Sequence, residues 1–118
     1  MGKPESTVEL YLKQKAEEKG YLCYKFVSPG HTGVPDRIVI GNGKTIFVET
    51  KAPNGVLRKK QEITIRRMRQ NGATVYVAYS RDQVDSLLLE LDAENQGGVH
   101  AQIKKQTDNA SADSNIGG

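Results

Sequence analysis

The dipeptide Asn42-Gly43, set between the apolar runs DRIVI and TIFVETK, is the feature that most narrows what this chain can fold into. A two-residue hairpin turn favours φ > 0 at both central positions, which Asn and Gly tolerate better than other residues. With that pair at the tip, strands are expected over residues 36–40 and 45–51, with Ile40 facing Thr45, Val39 facing Ile46 and Ile38 facing Phe47. Continuing the register sets Asp36 opposite Glu49. Opposed residues share a sheet face, as do residues two apart along a strand, so Lys51 joins the two acids. Val39, Ile46 and Val48 fall on one face and Ile38, Ile40 and Phe47 on the other, a pattern that predicts cover on both faces, as in α/β sheets flanked by helices. Two carboxylates opposed within such a sheet cost up to about 1 kcal/mol unless positive charge stands between them. A divalent cation removes that cost. The alternative is a solvated strand end at which Glu49 and Lys51 form a surface ion pair of little worth.

The remainder of the chain frames the hairpin. STVELYLKQKAEEKG places Val8, Tyr11, Leu12 and Ala16 at helical spacing and ends on Gly20. YLCYKFV reads as a strand, and the loop SPGHTG leads into the hairpin. After APNG comes a helix with the stripe Leu57, Gln61, Ile65 and Met68, closed by Asn71-Gly72. ATVYVAY is a fourth strand, which a crossover through that helix sets parallel to the third. Ser80 and Gln83 form a capping box for a last helix, VDSLLLELDAE. The expected class is therefore α/β, in the order αβββαβα, with a mixed central sheet flanked by helices. Residues 1–94 make one domain, and the polar, aperiodic residues 95–118 read as a flexible tail.

With 118 residues, 36% of them apolar, the chain can build one modest core. No run reaches the length of a membrane span and no apolar signal-peptide region opens the sequence, so no membrane partner is expected. A lone Cys23 allows no internal disulfide and points to a reducing cytoplasm. The acylation-like opening MGKPES and the glycosylation-like Asn109-Ala-Ser stand without context. A net charge of +3 says little, but its distribution says more. RKKQEITIRRMR holds Arg58, Lys59, Lys60, Arg66, Arg67 and Arg69 against the single acid Glu62, a footprint for a polyanion. A solvated helix face is the competing reading of the same run.

Glu9 on the first helix, Pro35-Asp36, Glu49-Thr50-Lys51 and Gln61 resemble the PD-(D/E)XK nuclease superfamily. More narrowly, KFVSPGHTGVPDRIVI followed by FVETKAPNG resembles the VRR-NUC family, in particular its small standalone phage and bacterial members, over about residues 5 to 92. The resemblance implies a restriction-endonuclease-like core and metal-dependent cleavage of DNA phosphodiesters. It also implies a preference for four-way or otherwise branched DNA, like that of Holliday-junction resolvases, and a homodimer.

Chemistry and resemblance together assign the roles. Mg²⁺, with Mn²⁺ as the other candidate, takes oxygen ligands from one or two carboxylates, and Asp36 and Glu49 suit it. The resemblance adds the backbone carbonyl of Thr50. Lys51 would orient or help deprotonate the attacking water, or stabilise charge on the phosphorane. Glu9 stands between two readings: the third position of a capping box begun by Ser6, or a further metal ligand, with Glu5 as its substitute. Gln61, the one polar member of its stripe, needs a partner inside, at strand-end backbone or in the site. His31 is a candidate phosphate contact or a plain loop residue. Surplus apolar residues in YLCYKFV and at Val84, Leu87, Leu88, Leu89 and Leu91 offer a dimer interface. GNGKT lacks the first glycine of a Walker A motif and no helix follows it, and isolated His31 and His100 suggest no zinc site. A non-catalytic DNA-binding module and an RNA endonuclease remain rival functions.

Overall fold

The computed structural model describes residues 6–94. Its elements run α1 (Thr7–Glu18), β1 (Leu22–Lys25), β2 (Arg37–Gly41), β3 (Lys44–Thr50), α2 (Lys59–Gln70), β4 (Val75–Ala78) and α3 (Arg81–Asp92), the order expected. The expected tail and Glu5 lie outside the described residues.

Local chemistry sets the boundaries. Ser6 Oγ accepts the Glu9 N–H at 3.0 Å to open α1. The helix closes on Gly20, whose φ of +81° lets Tyr21 N–H reach back to the Ala16 carbonyl at 3.0 Å. At the hairpin tip Asn42 and Gly43 adopt φ of +53° and +75°, as the turn requires. The tip does a second job. Asn42 Nδ2 donates to the Leu91 carbonyl at 2.9 Å and Lys44 Nζ to that of Ala93 at 2.8 Å, so the hairpin caps the carbonyl end of α3.

The four strands lie in chain order, β1 and β2 antiparallel, β2 and β3 antiparallel, β3 and β4 parallel. The hairpin register is the one expected, from Gly41 facing Lys44 to Arg37 facing Val48. On one face α1 supplies Val8, Leu12 and Ala16, and α3 supplies Val84, Leu87, Leu88 and Leu91. They close over Cys23, Val39, Ile46, Val48 and Ala78. On the other face α2 packs on β4, with Ile65 and Val75 buried.

Two expectations change here. The second face is covered only over β3 and β4, because a single helix of 12 residues cannot span four strands; over β1, Leu22 remains 46% and Tyr24 55% exposed. The apolar surplus of α3 also shrinks. Val84, Leu87, Leu88 and Leu91 are consumed by the chain's own core, and only Leu89, 65% exposed, faces outward.

Candidate metal centre and nucleic-acid interface

The open end of the hairpin gathers the acids. Asp36 immediately precedes β2, while Glu49 and Thr50 end β3. Asp36 Oδ2 accepts the Thr50 hydroxyl at 3.0 Å, and Oδ1 accepts the Thr50 N–H at 3.4 Å. The strand pairing ends at Arg37 opposite Val48, and Pro35, which has no N–H to give, could not extend the ladder on that side.

Glu49 is buried, and its Oε2 receives Gln61 Nε2 at 3.0 Å and lies 3.6 Å from Lys51 Nζ. Gln61 is fixed in turn, since its Oε1 accepts the Arg58 N–H at 2.9 Å at the start of α2. Its indoor partner is thus a site carboxylate together with helix-start backbone. Lys51 is anchored through its own N–H to the Ala78 carbonyl at 2.9 Å, which keeps the side chain beside Glu49.

Electrostatics mark the pair as unfinished. Burial, then the charge of Glu9, pushes Asp36 up to about 6 against the bonds from Thr50. Burial, then the charge of Asp36, pushes Glu49 up to about 7 against the pull of Lys51. The nearby ammonium does not offset the cost of two buried anions. A cation with oxygen affinity would, and two carboxylates suit Mg²⁺, which keeps several waters. Among the described residues no group of three His, Cys, Asp or Glu side chains is gathered closely enough to hold an ion.

Glu9 follows neither of its two expected courses in full. Its N–H completes half of the capping box, but its carboxylate turns to Arg37 Nε at 2.9 Å and Lys25 Nζ at 2.8 Å. Arg37 is almost wholly buried and shares its sheet face with Val39, so Glu9 sits across the sheet from Glu49 and reaches Asp36 by its field. Lys25 and Arg37 were not expected at the site. The signal for Arg37 was its alternation with Val39, which put a guanidinium on the core face and required a buried anion.

The basic run is mostly outward. Arg58, Lys59, Lys60, Arg66 and Arg67 are exposed on or beside α2. Arg69 instead ties the end of α2 to the sheet, its Nε donating to the Val75 carbonyl at 3.1 Å. His31, also exposed, puts Nε2 3.3 Å from Thr64 Oγ1. Gly33 permits this loop to lie on α2, since a Cβ there would stand 2.7 Å from the Lys60 carbonyl oxygen. No described helix is long and apolar enough to cross a membrane.

Comparison with known proteins points to one family. A family model described as the VRR-NUC domain matches residues 5–82. A solved structure titled "VRR_NUC domain" superposes with a TM-score of 0.64 at 36% identity, covering 69% of this chain and 89% of that one. The protein named "Putative nuclease p44", from Acyrthosiphon pisum secondary endosymbiont phage 1, is 54% identical over 50 residues. That match takes in 42% of this chain and 54% of the relative, so the chain spans about half the length of the curated protein it matches.

Proposed function

The chain belongs to the VRR-NUC family of nuclease domains, and from that premise we propose that it is a metal-dependent endonuclease that cuts branched DNA. The observation that supports this best is the pair Asp36 and Glu49, two partly or fully buried carboxylates raised to about 6 and about 7, with Lys51 Nζ 3.6 Å from Glu49. Asp36, Glu49 and the Thr50 carbonyl would hold Mg²⁺ or Mn²⁺, while Glu9, bound to Arg37 and Lys25 across the sheet, acts on Asp36 through its charge. When bound, such an ion supplies Lewis acidity toward the phosphate ester and makes water more acidic.

The chain's own groups do the rest. Gln61 Nε2 fixes Glu49 Oε2 and so directs its free lone pairs into the site. Lys51 Nζ donates to a phosphoryl oxygen, where negative charge grows as water attacks phosphorus. Arg58, Lys59, Lys60, Arg66 and Arg67 receive the flanking phosphates, with His31 at the edge of that surface. Because the described residues hold one such acid pair and a four-way junction has two symmetric strands to cut, a two-fold homodimer suits the substrate. The open half of the sheet around Leu22 and Tyr24 is the apolar surface available for it.

The test is a cleavage panel with Mg²⁺ or Mn²⁺ over a four-way junction, flaps, single strands, linear duplex and RNA. Junctions or flaps should be cut in preference to linear duplex. Binding without cutting would mean a DNA-binding module, and cutting of RNA alone would sink the DNA assignment.

A further inference from the structure

Beside the acid pair, on the same sheet face, the loop after β1 and helix α2 border an open hollow of about 390 Å³ that the cleavage chemistry does not use. Half-buried Phe26, Val34 and Met68 wall it; His31, Thr64 and Arg67 stand among its lining. Phe26 is tied to the catalytic end of the sheet, because its N–H donates to the Asp36 carbonyl at 2.9 Å and its ring packs on Phe47 at 5.4 Å between centroids. A second hollow adjoins on the other side of His31, lined by Lys60 and Ile63.

We infer that the first hollow receives a single unstacked nucleobase of the DNA strand that is cut, a reading that rests on the proposed DNA cleavage. A nucleobase is a plate with apolar faces and a polar edge, and this hollow has apolar walls with an imidazole and a hydroxyl beside them. A phosphate alone would leave Phe26, Val34 and Met68 unmatched. An apolar ligand would leave His31 and Arg67 without use. Charge is complementary as well, since Arg67 lines the hollow, Lys60 the adjoining one and Arg66 is exposed on the same helix, where a base inserted from the strand would bring its flanking phosphates.

The reach is right for a branch point. Gln61, which holds Glu49, and Met68 are seven residues apart on α2, or about 10 Å along the axis. That is about three base steps of a B-form strand. In an intact duplex every base is stacked and the hollow stays empty, whereas a splayed or unpaired base near a branch enters without the cost of extrusion. Preference for branched DNA thus arises from this hollow.

The experiment measures binding of the full chain to a four-way junction and a flap in Ca²⁺, which holds DNA on such sites with little cutting. Single abasic nucleotides replace each of the three bases on either side of the branch. At one position the wild type should lose about five- to tenfold in affinity, as for one stacked base, while Met68→Trp, which fills the hollow, should lose no more than about twofold. Val34→Trp is the second filling variant, Met68→Leu the conservative control that keeps the wild-type penalty, and thermal melts establish that each is folded. Equal abasic penalties in wild type and filled variants, no penalty at any position, or no binding would each overturn the inference. Wild-type cleavage in Mg²⁺ is scored separately, so a missing nuclease activity is not confused with a missing base pocket.

Discussion

Metal-free protein should lose stability as pH rises from about 4 to about 7. Asp36 is displaced from 3.8 to about 6 and Glu49 from 4.5 to about 7. In that window the folded chain binds more protons than the unfolded one, so each step up in pH favours unfolding. The stabilising protonation is complete below the unfolded values and gone above the folded ones. At about 1.4 kcal/mol per pKa unit, either acid alone accounts for about 3 kcal/mol at most. Linkage sums the two displacements, so the whole effect is about 6 kcal/mol at most, of which about 4 kcal/mol falls between pH 5 and pH 8. Urea denaturation in EDTA at pH 5 and pH 8 measures it. Glu49→Gln, which keeps shape and can still accept from Gln61, should be more stable than wild type at pH 8 and should lose about half of the pH dependence. Mg²⁺ at a hundredfold excess over its dissociation constant should restore about 2.7 kcal/mol at pH 8 and much less at pH 5. A wild-type stability that is flat across this range, or a slope untouched by Glu49→Gln, would refute the reasoning.

Lys51→Ala should keep Mg²⁺-induced stabilisation and DNA affinity while cleavage falls by about 10²-fold or more, seen by comparing single-turnover rates with filter binding. Neutralising Arg66 and Arg67 together should lower the slope of log affinity against log salt by about 2, and an unchanged slope would make α2 a merely solvated face. Arg37→Met should cost about 3–5 kcal/mol by leaving Glu9 buried without its guanidinium, and Glu9→Leu in the same chain should recover most of it in a denaturation cycle. Light scattering at micromolar concentration should give twice the 13.0 kDa chain mass; the monomer mass would confine pairing to DNA.

The hairpin was legible because one dipeptide fixes its register and the period of two then assigns every side chain to a face. Asp36, Glu49 and Lys51 came from that arithmetic, and Gln61 from being polar on an apolar stripe. What failed to show in the sequence depends on how many strands a helix can cover. Alternation cannot reveal that α2 shelters β3 and β4 but leaves Leu22 and Tyr24 bare, because both strands have the same pattern either way. The α3 leucines misled for a related reason: five apolar residues exceed a narrow stripe, but α3 packs on both the sheet and α1, and two neighbours bury a wider arc. Glu9 was legible as a residue near the site, but its bond to Arg37 was not, since it joins residues 28 apart in sequence.

Asn42 makes the hairpin tip a chemical clock. An asparagine followed by glycine is the sequence most open to deamidation, since the unhindered Gly43 nitrogen can attack the side-chain amide and release ammonia. In the folded chain that amide is held against the carbonyls of Leu91, Asp92 and Ala93, which restrains the attack. Once the amide is lost, a carboxylate stands where a donor stood, facing three carbonyl oxygens at the negative end of α3. Ageing would therefore begin at the end of the hairpin farthest from the acids and loosen α3 first, so that a stored sample would soften in its core before its site chemistry changed.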